Sequence, residues 1–361
     1  MPTKKSNPTF SGQKVFIGID VHKNSWSVAV RTLGIEVAHF TQTPEPQQLA
    51  RYLESRYPGG SYMSAYEAGF CGTSHHEHLV KLGIQNMIIN AADLPQTDKQ
   101  RNNKSDLHDS RFIARYLEKG LVSGIHVMPK DQQERRSLFR CREVLVRDCA
   151  RAINRVRSFL YFFGIDLPSE FKDKQYISKN FLNWLYSIKP GSDEGHEALE
   201  FYLNHLVYLR KNILAVTNLL RRSVSTHSMD AYNRLLSVPG IGCITAIGLL
   251  SEVGDFKRFN DPDEFTSYLG LIPSEHRSGQ TILNIRMQPR CNMHLRPLLI
   301  EASWLAIKKC PYLLAYYKEH APKGAKKAIV KVARKLALIA RSIVLKKTIY
   351  QPGYNNQNQE I

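Results

Sequence analysis

The sequence is poor in acidic side chains, in closely paired cysteines and in uninterrupted apolar runs. Its 361 residues contain 32 Asp and Glu against 50 Lys and Arg. The six cysteines form no C-x-x-C pair, which argues against a zinc finger and a disulfide scaffold and indicates thiols in a reducing compartment. The N-terminus lacks the apolar core of a signal peptide, and basic residues interrupt the apolar stretch 328–345. We therefore expect a soluble, cytoplasmic chain without a membrane partner.

The excess of basic residues amounts to a formal net charge of +18. Such a charge predicts an extended polyanion, above all nucleic acid, more readily than a small substrate. Half of the excess lies in residues 301–361, which hold 12 basic and 3 acidic side chains. With 43% hydrophobic residues the chain is expected to fold throughout, and its length suggests two or three domains.

The first 128 residues alternate between strand and helix patterns. Strand patterns occupy 14–20, 25–31, 35–41, 61–67 and 84–90, and helical patterns occupy 44–56, 72–82 and 105–120. The resulting order, βββ-α-β-α-β-α, predicts an α/β domain whose mixed sheet is flanked by helices. Three neighbouring histidines in the second helix, His75, His76 and His78, point in different directions, so a metal cluster there is the weaker interpretation.

The rest of the chain is predicted to be mainly helical. Residues 129–225 carry apolar side chains at close to heptad spacing, which predicts a helical hairpin or coiled coil. This seam consists of Leu138, Leu145, Cys149, Ala152, Val156, Phe159 and Phe163. The aromatic run 159–163 is more simply core or hairpin packing than a platform on which bases stack. Residues 226–350 form a further, mainly α domain, and 351–361 form a polar tail.

Four carboxylates in the first domain form the most specific pattern. Asp20 ends the first strand, Glu67 ends the fourth, and Asp106 and Asp109 lie three apart in the last helix. Positions i and i+3 share a helix face, and neighbouring strand ends converge. Four converging carboxylates repel one another unless cations lie between them, and oxygen ligands favour Mg²⁺ or Mn²⁺. Two such ions would assist phosphoryl transfer. Each acid alone is more simply a surface charge.

Candidate nucleic-acid contacts lie in the second and third predicted domains. An arginine stripe on the helical segment either tracks phosphates or is a solvated flank, and we weigh the two equally. The turn Val-Pro-Gly-Ile-Gly at 238–242 resembles that of a helix-hairpin-helix, in which glycines admit a phosphate to backbone N–H groups. A third group of cations surrounds a short loop or hairpin after residue 270. The positions proposed for binding are Arg136, Arg140, Arg147, Arg151, Arg155, Gly240, Gly242, Arg277 and Arg286.

The order of elements and acids resembles the RNase H-like fold of the Holliday-junction resolvase RuvC. The stretches IGIDVHKNSWSVAV, YEAGFCG and KSDLHDS resemble the DEDD motifs of the IS one-ten family of insertion-sequence transposases, which includes the pilin-gene invertases. That resemblance implies an α/β RNase H-like first domain, a coiled-coil segment and a mainly α transposase domain. It also implies that Asp20, Glu67, Asp106 and Asp109 are catalytic metal ligands.

The same family resemblance assigns a nucleophile. The segment P-S-E-H-R-S-G at 273–279 is similar to the family's transposase domain, in which the serine before glycine attacks DNA. Carried over, that residue is Ser278, with Ser274 as the weaker choice. Many relatives have Ser-Ser-Gly-Gly where this chain has Arg-Ser-Gly-Gln at 277–280.

The leading hypothesis is a DNA transposase and recombinase that forms a covalent phosphoserine intermediate with Mg²⁺-assisted chemistry. The resemblance further implies donor and target DNA, a guide RNA encoded by the element (the bridge RNA) and a homodimer or tetramer. Two alternatives stay open. One is a RuvC-like metal-dependent junction endonuclease without a serine nucleophile, and the other is a non-catalytic nucleic-acid-binding protein.

Overall fold

The computed structural model describes residues 10–90, 106–172, 177–278, 281–287 and 290–351, with no description of the side chains at 106–109, 273–278 and 281–286. Contacts divide the chain into two compact units, Met1–Val127 and Met128–Ile361. Among the helices of the described ranges, none is both long and apolar enough to cross a membrane.

The first unit contains a five-stranded mixed sheet with helices on both faces. Its elements are β1 (Lys14–Val21), β2 (Trp26–Thr32), β3 (Ile35–Gln42), α1 (Pro46–Arg56), β4 (Ser61–Glu67), α2 (Ser74–Lys81), β5 (Gln85–Ile89) and α3 (Asp106–Glu118). The strand order is β3-β2-β1-β4-β5. β1, β2 and β3 form an antiparallel meander, whereas β4 and β5 continue the sheet in parallel with β1. The predicted α/β domain with a mixed sheet is confirmed.

Alternation along β1 gives the sheet two buried faces. Val15, Ile17 and Ile19 are fully buried and belong to the larger apolar cluster, which α1 and α2 cover with residues such as Leu53 and Leu79. The other face carries a smaller cluster in which Ala65 packs with Ile113 and Leu117 of α3. The burial of both faces explains why the strands are apolar at most positions.

In its described residues, the second unit is helical apart from one β-hairpin. Its helices are α4 (Lys130–Phe162), α5 (Ser169–Lys172), α6 (Lys179–Ser187), α7 (Asp193–His227), α8 (Met229–Ser237), α9 (Cys243–Val253), α10 (Pro262–Tyr268), α11 (Leu295–Lys309), α12 (Pro311–His320) and α13 (Ala325–Lys346). Strands β6 (Pro273–Ser278) and β7 (Thr281–Met287) form the hairpin. The predicted boundary between 225 and 226 lies within this unit and stays a prediction, and 352–361 of the predicted polar tail lie outside the described residues.

The two long helices α4 and α7 pack against each other in opposite directions. Arg142 near the start of α4 donates to Thr217 near the end of α7, while the rings of Phe159 and Tyr202 lie 5.9 Å apart near the opposite ends. Most of the predicted seam is buried or half-buried between them or beside α6. The two long helices form a helical hairpin with the short helices α5 and α6 inserted in its connection, while the predicted segment 129–225 stays a prediction.

The aromatic run at the end of α4 differs from the expectation. Leu160 is buried and Phe159 half-buried, but Tyr161 and Phe162 are 89% and 81% exposed, and Phe163 is 52% exposed. A helix turns 100° per residue, so consecutive rings cannot all face the same partner helix. The interpretation of the run as core or hairpin packing was wrong for these three residues.

The last six helices form their own apolar core. Fully buried residues of α11 and α13, such as Leu299 and Leu336, pack with Leu235 of α8 and Leu249 of α9. Lys326, Lys327 and Lys331 of α13 are exposed, whereas Val332, Ala333 and Ala337 occupy the buried side of the helix.

Candidate functional site

Asp20 and Glu67 lie at the same edge of the sheet in the first unit. β1 and β4 are parallel neighbours, and Ile19 pairs with Tyr66, so each acid directly follows a paired residue. Because side chains alternate, Asp20 shares a face with Gly18, and Glu67 shares a face with Ala65. Ala65 packs against α3, so both acids extend from the face that α3 covers. Both are half-buried.

The first turn of α3 lies at that edge as well. A Cβ placed on Gly18 would lie 2.0 Å from the Ser110 carbonyl oxygen, so α3 contacts the β1 backbone directly. Ser110 contacts Ser27, which pairs with Asp20, whereas Glu118 bonds Arg31, which pairs with Phe16. The helix therefore begins beside the carboxyl end of β1.

The positions of all four predicted acids consequently converge. Asp106 and Asp109 occupy the first turn of α3, although their side chains lie outside the described part. The backbone brings this turn to the edge where Asp20 and Glu67 end their strands. Metal ligation by the four residues stays a prediction. Sequence reasoning identified the acids but missed Gly18, for which a glycine inside an apolar strand was the available signal of a close backbone approach.

His22 lies beside Asp20. Its Nε2 lies 3.0 Å from Asp20 Oδ2, and the Asp20 side chain is 19% exposed. The imidazole orients one oxygen of this carboxylate. A fixed orientation suits a carboxylate that binds a metal ion. Together with Glu67 and the D-x-x-D turn, the donor set is rich in carboxylate oxygen and fits a hard divalent cation.

The histidines of α2 do not converge. His76 Nδ1 lies 2.8 Å from Asn86 Oδ1, and His75 packs edge-on against Trp26 with ring centroids 4.9 Å apart. Burial lowers the pKa of His75, with a smaller contribution from His78. Across the described residues, no group of three or more His, Cys, Asp or Glu is arranged to hold a metal ion. These histidines have structural partners instead.

Ser278 ends strand β6 at the tip of the hairpin in the second unit. It pairs with Thr281, and the two-residue connection 279–280 lies outside the described residues. Ser274, the weaker nucleophile candidate, pairs with Arg286 on the same hairpin. The register shifts between His276 and Arg277. The predicted hairpin is therefore present, while the roles of Ser278, Arg277 and Arg286 depend on undescribed side chains and stay predictions.

A buried polar cluster lies between α4 and the segment that follows the hairpin. Glu252 is fully buried, and Arg140 donates to both of its carboxylate oxygens at 2.6 and 2.8 Å. Asn292 donates to Glu252 Oε2 and caps α11 through its side-chain oxygen, which accepts from the N–H groups of His294 and Leu295. The hydrogen bond to Glu252 raises the pKa of Arg140. Nearby, His294 Nδ1 bonds Glu143.

Members of the arginine stripe consequently differ in their surroundings. Arg147, Arg151 and Arg155 are exposed, and Arg151 pairs with Asp148 one turn away. Arg140 instead joins the buried cluster, and Arg136 is half-buried. Arg147, Arg151 and Arg155 are the more exposed members of the stripe, and nucleic-acid contact by any of the five stays a prediction.

The two glycines of the predicted helix-hairpin-helix turn also differ. Gly240 has a φ of +89°, and a Cβ there would lie 2.3 Å from the Ala302 carbonyl oxygen, so this glycine allows the turn to pack on α11. Gly242 precedes α9 and is exposed, and a Cβ at this position would meet no atom within 4 Å. Open space at a helix N-terminus is what an approaching phosphate needs, so Gly242 is the better candidate of the two.

Two protein-family models match this chain. A DEDD transposase model named for IS110 matches residues 17–164, and a second, described as "Transposase IS116/IS110/IS902 family", matches residues 232–318. The chain belongs to the IS110 family of transposases. The first match contains all four predicted acids, and the second contains the serine hairpin and the glycine turn.

Relatives of this IS110-family chain are similar along most of its length. The transposase for insertion sequence element IS1111A of Coxiella burnetii is 26% identical over 93% of this chain and 91% of the relative. The transposase for IS1328 of Yersinia enterocolitica is 26% identical over 82% and 85%, respectively. A probable family 20 transposase of Pseudomonas aeruginosa is 28% identical over 78% and 84%. The function of an insertion-sequence transposase is thereby supported for the whole chain.

Proposed function

We propose that this transposase cuts and rejoins DNA with two sets of residues, the four acids of an RNase H-like first unit and Ser278 of the second. The observation that carries the proposal is the convergence of the Asp20 and Glu67 strand ends with the first turn of α3. A mixed sheet covered by α3 on one face supports the RNase H-like assignment.

Asp20, Glu67, Asp106 and Asp109 would hold Mg²⁺ or Mn²⁺. Such ions, when bound, polarise a phosphate and activate an attacking oxygen. The chain's own contribution is orientation: β1 and β4 fix two acids on one face, α3 supplies the D-x-x-D turn, and His22 bonds one oxygen of Asp20. Clustered acids without a cation would repel the DNA backbone, which supports a metal site over a purely architectural role.

Ser278 would act as the nucleophile. Its hydroxyl oxygen forms a bond to phosphorus as the bond from phosphorus to the departing deoxyribose oxygen breaks; the serine proton passes to a base, and the departing oxygen gains a proton. Attack by a second strand's hydroxyl reverses the exchange and frees the serine. One phosphodiester replaces another through the serine ester, so the cycle requires no oxidant or energy donor. A serine at a hairpin tip, with Arg277 adjacent and Arg286 on the paired strand, supports this role.

The basic charge supports binding of both donor and target DNA and of a guide RNA. The exposed arginines of α4 and the basic C-terminal helix are suited to phosphate contacts that do not read sequence. In this proposal the element-encoded bridge RNA supplies sequence recognition by base pairing, as in other RNA-guided systems. A dimer or tetramer would bring acids and serine from different subunits to one strand exchange.

A covalent-adduct assay tests the chemistry. Wild type with Mg²⁺ and donor DNA is expected to give a protein–DNA adduct stable to denaturation, whereas Ser278→Ala gives none and Ser274→Ala, the matched control on the same strand, retains it. Asp20→Asn and removal of Mg²⁺ with EDTA are expected to suppress strand cleavage. Cleavage without an adduct in Ser278→Ala would instead establish a metal-dependent endonuclease in which water attacks. Full function after all four acids are changed to amides would establish a non-catalytic binder.

Guide-RNA binding is tested separately by sequencing the nucleic acid that copurifies with the chain from cells carrying the complete element. Enrichment of one structured, element-derived RNA is expected. Strand exchange by protein freed of RNA, with unchanged site choice, would remove the RNA part and leave the serine chemistry standing.

A further inference from the structure

Three polar side chains form a hydrogen-bonded cluster on the α3 face of the sheet. Ser27 Oγ lies 3.0 Å from Ser110 Oγ and 3.2 Å from His39 Nε2, and Ser110 Oγ lies 3.4 Å from the same nitrogen. Ser110 is fully buried, Ser27 is 7% exposed and His39 is half-buried. They come from β2, α3 and β3, so the cluster ties the helix to two strands.

The cluster is adjacent to the proposed metal site on both sides. Ser27 pairs directly with Asp20 across β1 and β2, and side chains at such positions are about 5 Å apart at Cβ. Ser110 directly follows Asp109 in the first turns of α3. The cluster therefore connects the strand position opposite one acid to the helix position next to another.

Among the described contacts of α3 with the sheet, those near its amino end are the backbone approach at Gly18, the pair of Arg111 with Glu36, and the serine cluster. Along the middle of the helix, Ile113 and Leu117 pack on Ala65, and apolar contacts are not directional. At the far end, Glu118 bonds Arg31 and the Gly34 N–H. The serine cluster supplies directional bonds where the acids lie. Alanine at both serine positions would occupy nearly the same volume and would bury no hydroxyl that needs a hydrogen-bond partner. Burial alone therefore does not explain why serines occur there.

The surroundings of His39, above all its burial, favour its neutral form. Burial is the main factor that lowers the pKa of His39; Arg111, which bonds Glu36, lowers it further, and Glu36 opposes. A neutral imidazole accepts a hydrogen bond at one nitrogen. His39 Nε2 can then accept a hydrogen bond from one of the two serine hydroxyls, and that hydroxyl can accept one from the other.

We propose that Ser27, His39 and Ser110 are positioning residues that hold the first turn of α3, and with it Asp106 and Asp109, in register with Asp20. This inference rests on the proposed metal site. Groups that orient metal ligands without touching the metal commonly affect metal affinity by about 10–100-fold, and we expect that range here.

The test measures Mn²⁺ binding and amide exchange in the full chain. His39→Ala and Ser110→Ala are expected to weaken Mn²⁺ binding at least 10-fold by calorimetric titration. In the metal-free protein they should speed hydrogen exchange of amides 110–114 at least 10-fold, since those amides donate within the first turns of α3. His39→Gln retains an acceptor and should recover most of both properties.

The chain offers a matched control on the opposite face of the sheet. There, His76 bonds Asn86, which donates to Ser64 Oγ at 2.7 Å, in a second buried cluster of similar composition. His76→Ala should cost comparable stability and leave Mn²⁺ affinity and α3 exchange within 2-fold of wild type. Ser27→Ala replaces Ser110→Ala if the latter fails to fold.

The outcomes separate this inference from the function on which it rests. If Asp20→Asn leaves Mn²⁺ binding unchanged, the metal site is wrong, and α3 exchange alone decides the positioning role. If Asp20→Asn abolishes binding while His39→Ala and Ser110→Ala alter neither readout, the positioning role is wrong and the metal site stands. Equal effects of His39→Ala and His76→Ala would also overturn it, because they would show general destabilisation.

Discussion

Gly18→Ala tests whether close docking of α3 on β1 determines the geometry of the acids. The new Cβ would lie 2.0 Å from the Ser110 carbonyl oxygen and 2.5 Å from the Ala114 nitrogen, and both are helix backbone atoms. To restore an ordinary contact of 3.4 Å, the helix must retreat by about 1.4 Å near Ser110. No side-chain rotation can relieve the overlap, so the backbone of α3 has to move.

That displacement sets the expected magnitudes. Overpacking of a well-filled site typically costs about 1–3 kcal/mol, and we expect a loss near the upper end because backbone is displaced. A misplacement of about 1 Å at a reacting centre can reduce a rate by about 100-fold. Asp106 and Asp109 lie within one turn of Ser110, so they move with it while Asp20 stays on β1. Mn²⁺ affinity and Mg²⁺-dependent cleavage should both fall at least 10-fold.

Calorimetric Mn²⁺ titration and thermal unfolding of each variant distinguish displacement from general instability. Gly124→Ala is the benign control, because its nearest neighbour atom would lie at 3.5 Å, an ordinary contact. Leu53→Ala is the destabilising control, since it removes a fully buried side chain from the opposite face at a cost of about 2–5 kcal/mol. If Gly18→Ala folds and binds Mn²⁺ as wild type does, close docking of α3 on β1 does not determine the geometry of the acids. The same conclusion follows if Leu53→Ala weakens Mn²⁺ binding equally.

Three further predictions concern the second unit. Arg140→Ala should lower the free energy of unfolding in urea titrations by about 3 kcal/mol, because it leaves the buried Glu252 carboxylate without its ion-pair partner. Arg147→Ala, at an exposed position, should leave the free energy of unfolding unchanged and weaken DNA binding. Gly242→Ala, which meets no atom, should preserve thermal stability but weaken duplex binding, and unchanged affinity would remove the phosphate role. Changing three α13 lysines together to Gln should reduce the slope of log K against log salt concentration for duplex binding by about 2.7. The same change at the exposed lysines 14, 81 and 119 should leave that slope unchanged. The α13 residues are the exposed Lys326, Lys327 and Lys331.

Much of the first unit was predictable because its signals are local. Alternating apolar strands, Pro46 at the start of α1 and Gly120 after α3 each limit an element by its own sequence. The order of those elements then placed Asp20 and Glu67 at neighbouring strand ends, which the sheet confirms. What the local pattern could not show was the contact of Gly18 with Ser110, because residues 92 apart in the chain meet only after α3 has docked.

The second unit shows where sequence patterns mislead. Arg140 falls on the same stripe as Arg147 and Arg155, yet its partner Glu252 lies 112 residues away on another helix. Helical periodicity assigns a face to a residue but does not reveal which element covers that face. For the same reason the pattern indicated Leu138 as the seam residue, whereas its neighbour Phe139 is the fully buried one.

Because α4 is long, a small tilt near its base moves its far end by a large distance. The helix has 33 residues and is therefore about 50 Å long. Arg140 and Phe139 anchor it to the core of the second unit, and Phe162 lies 22 residues further along, about 33 Å away. A tilt of only about 5° at the anchor would swing the exposed rings at the far end by roughly 3 Å. The contacts of Arg140 and Phe139 with the core of the second unit thus contribute to where the exposed rings at the far end of α4 lie.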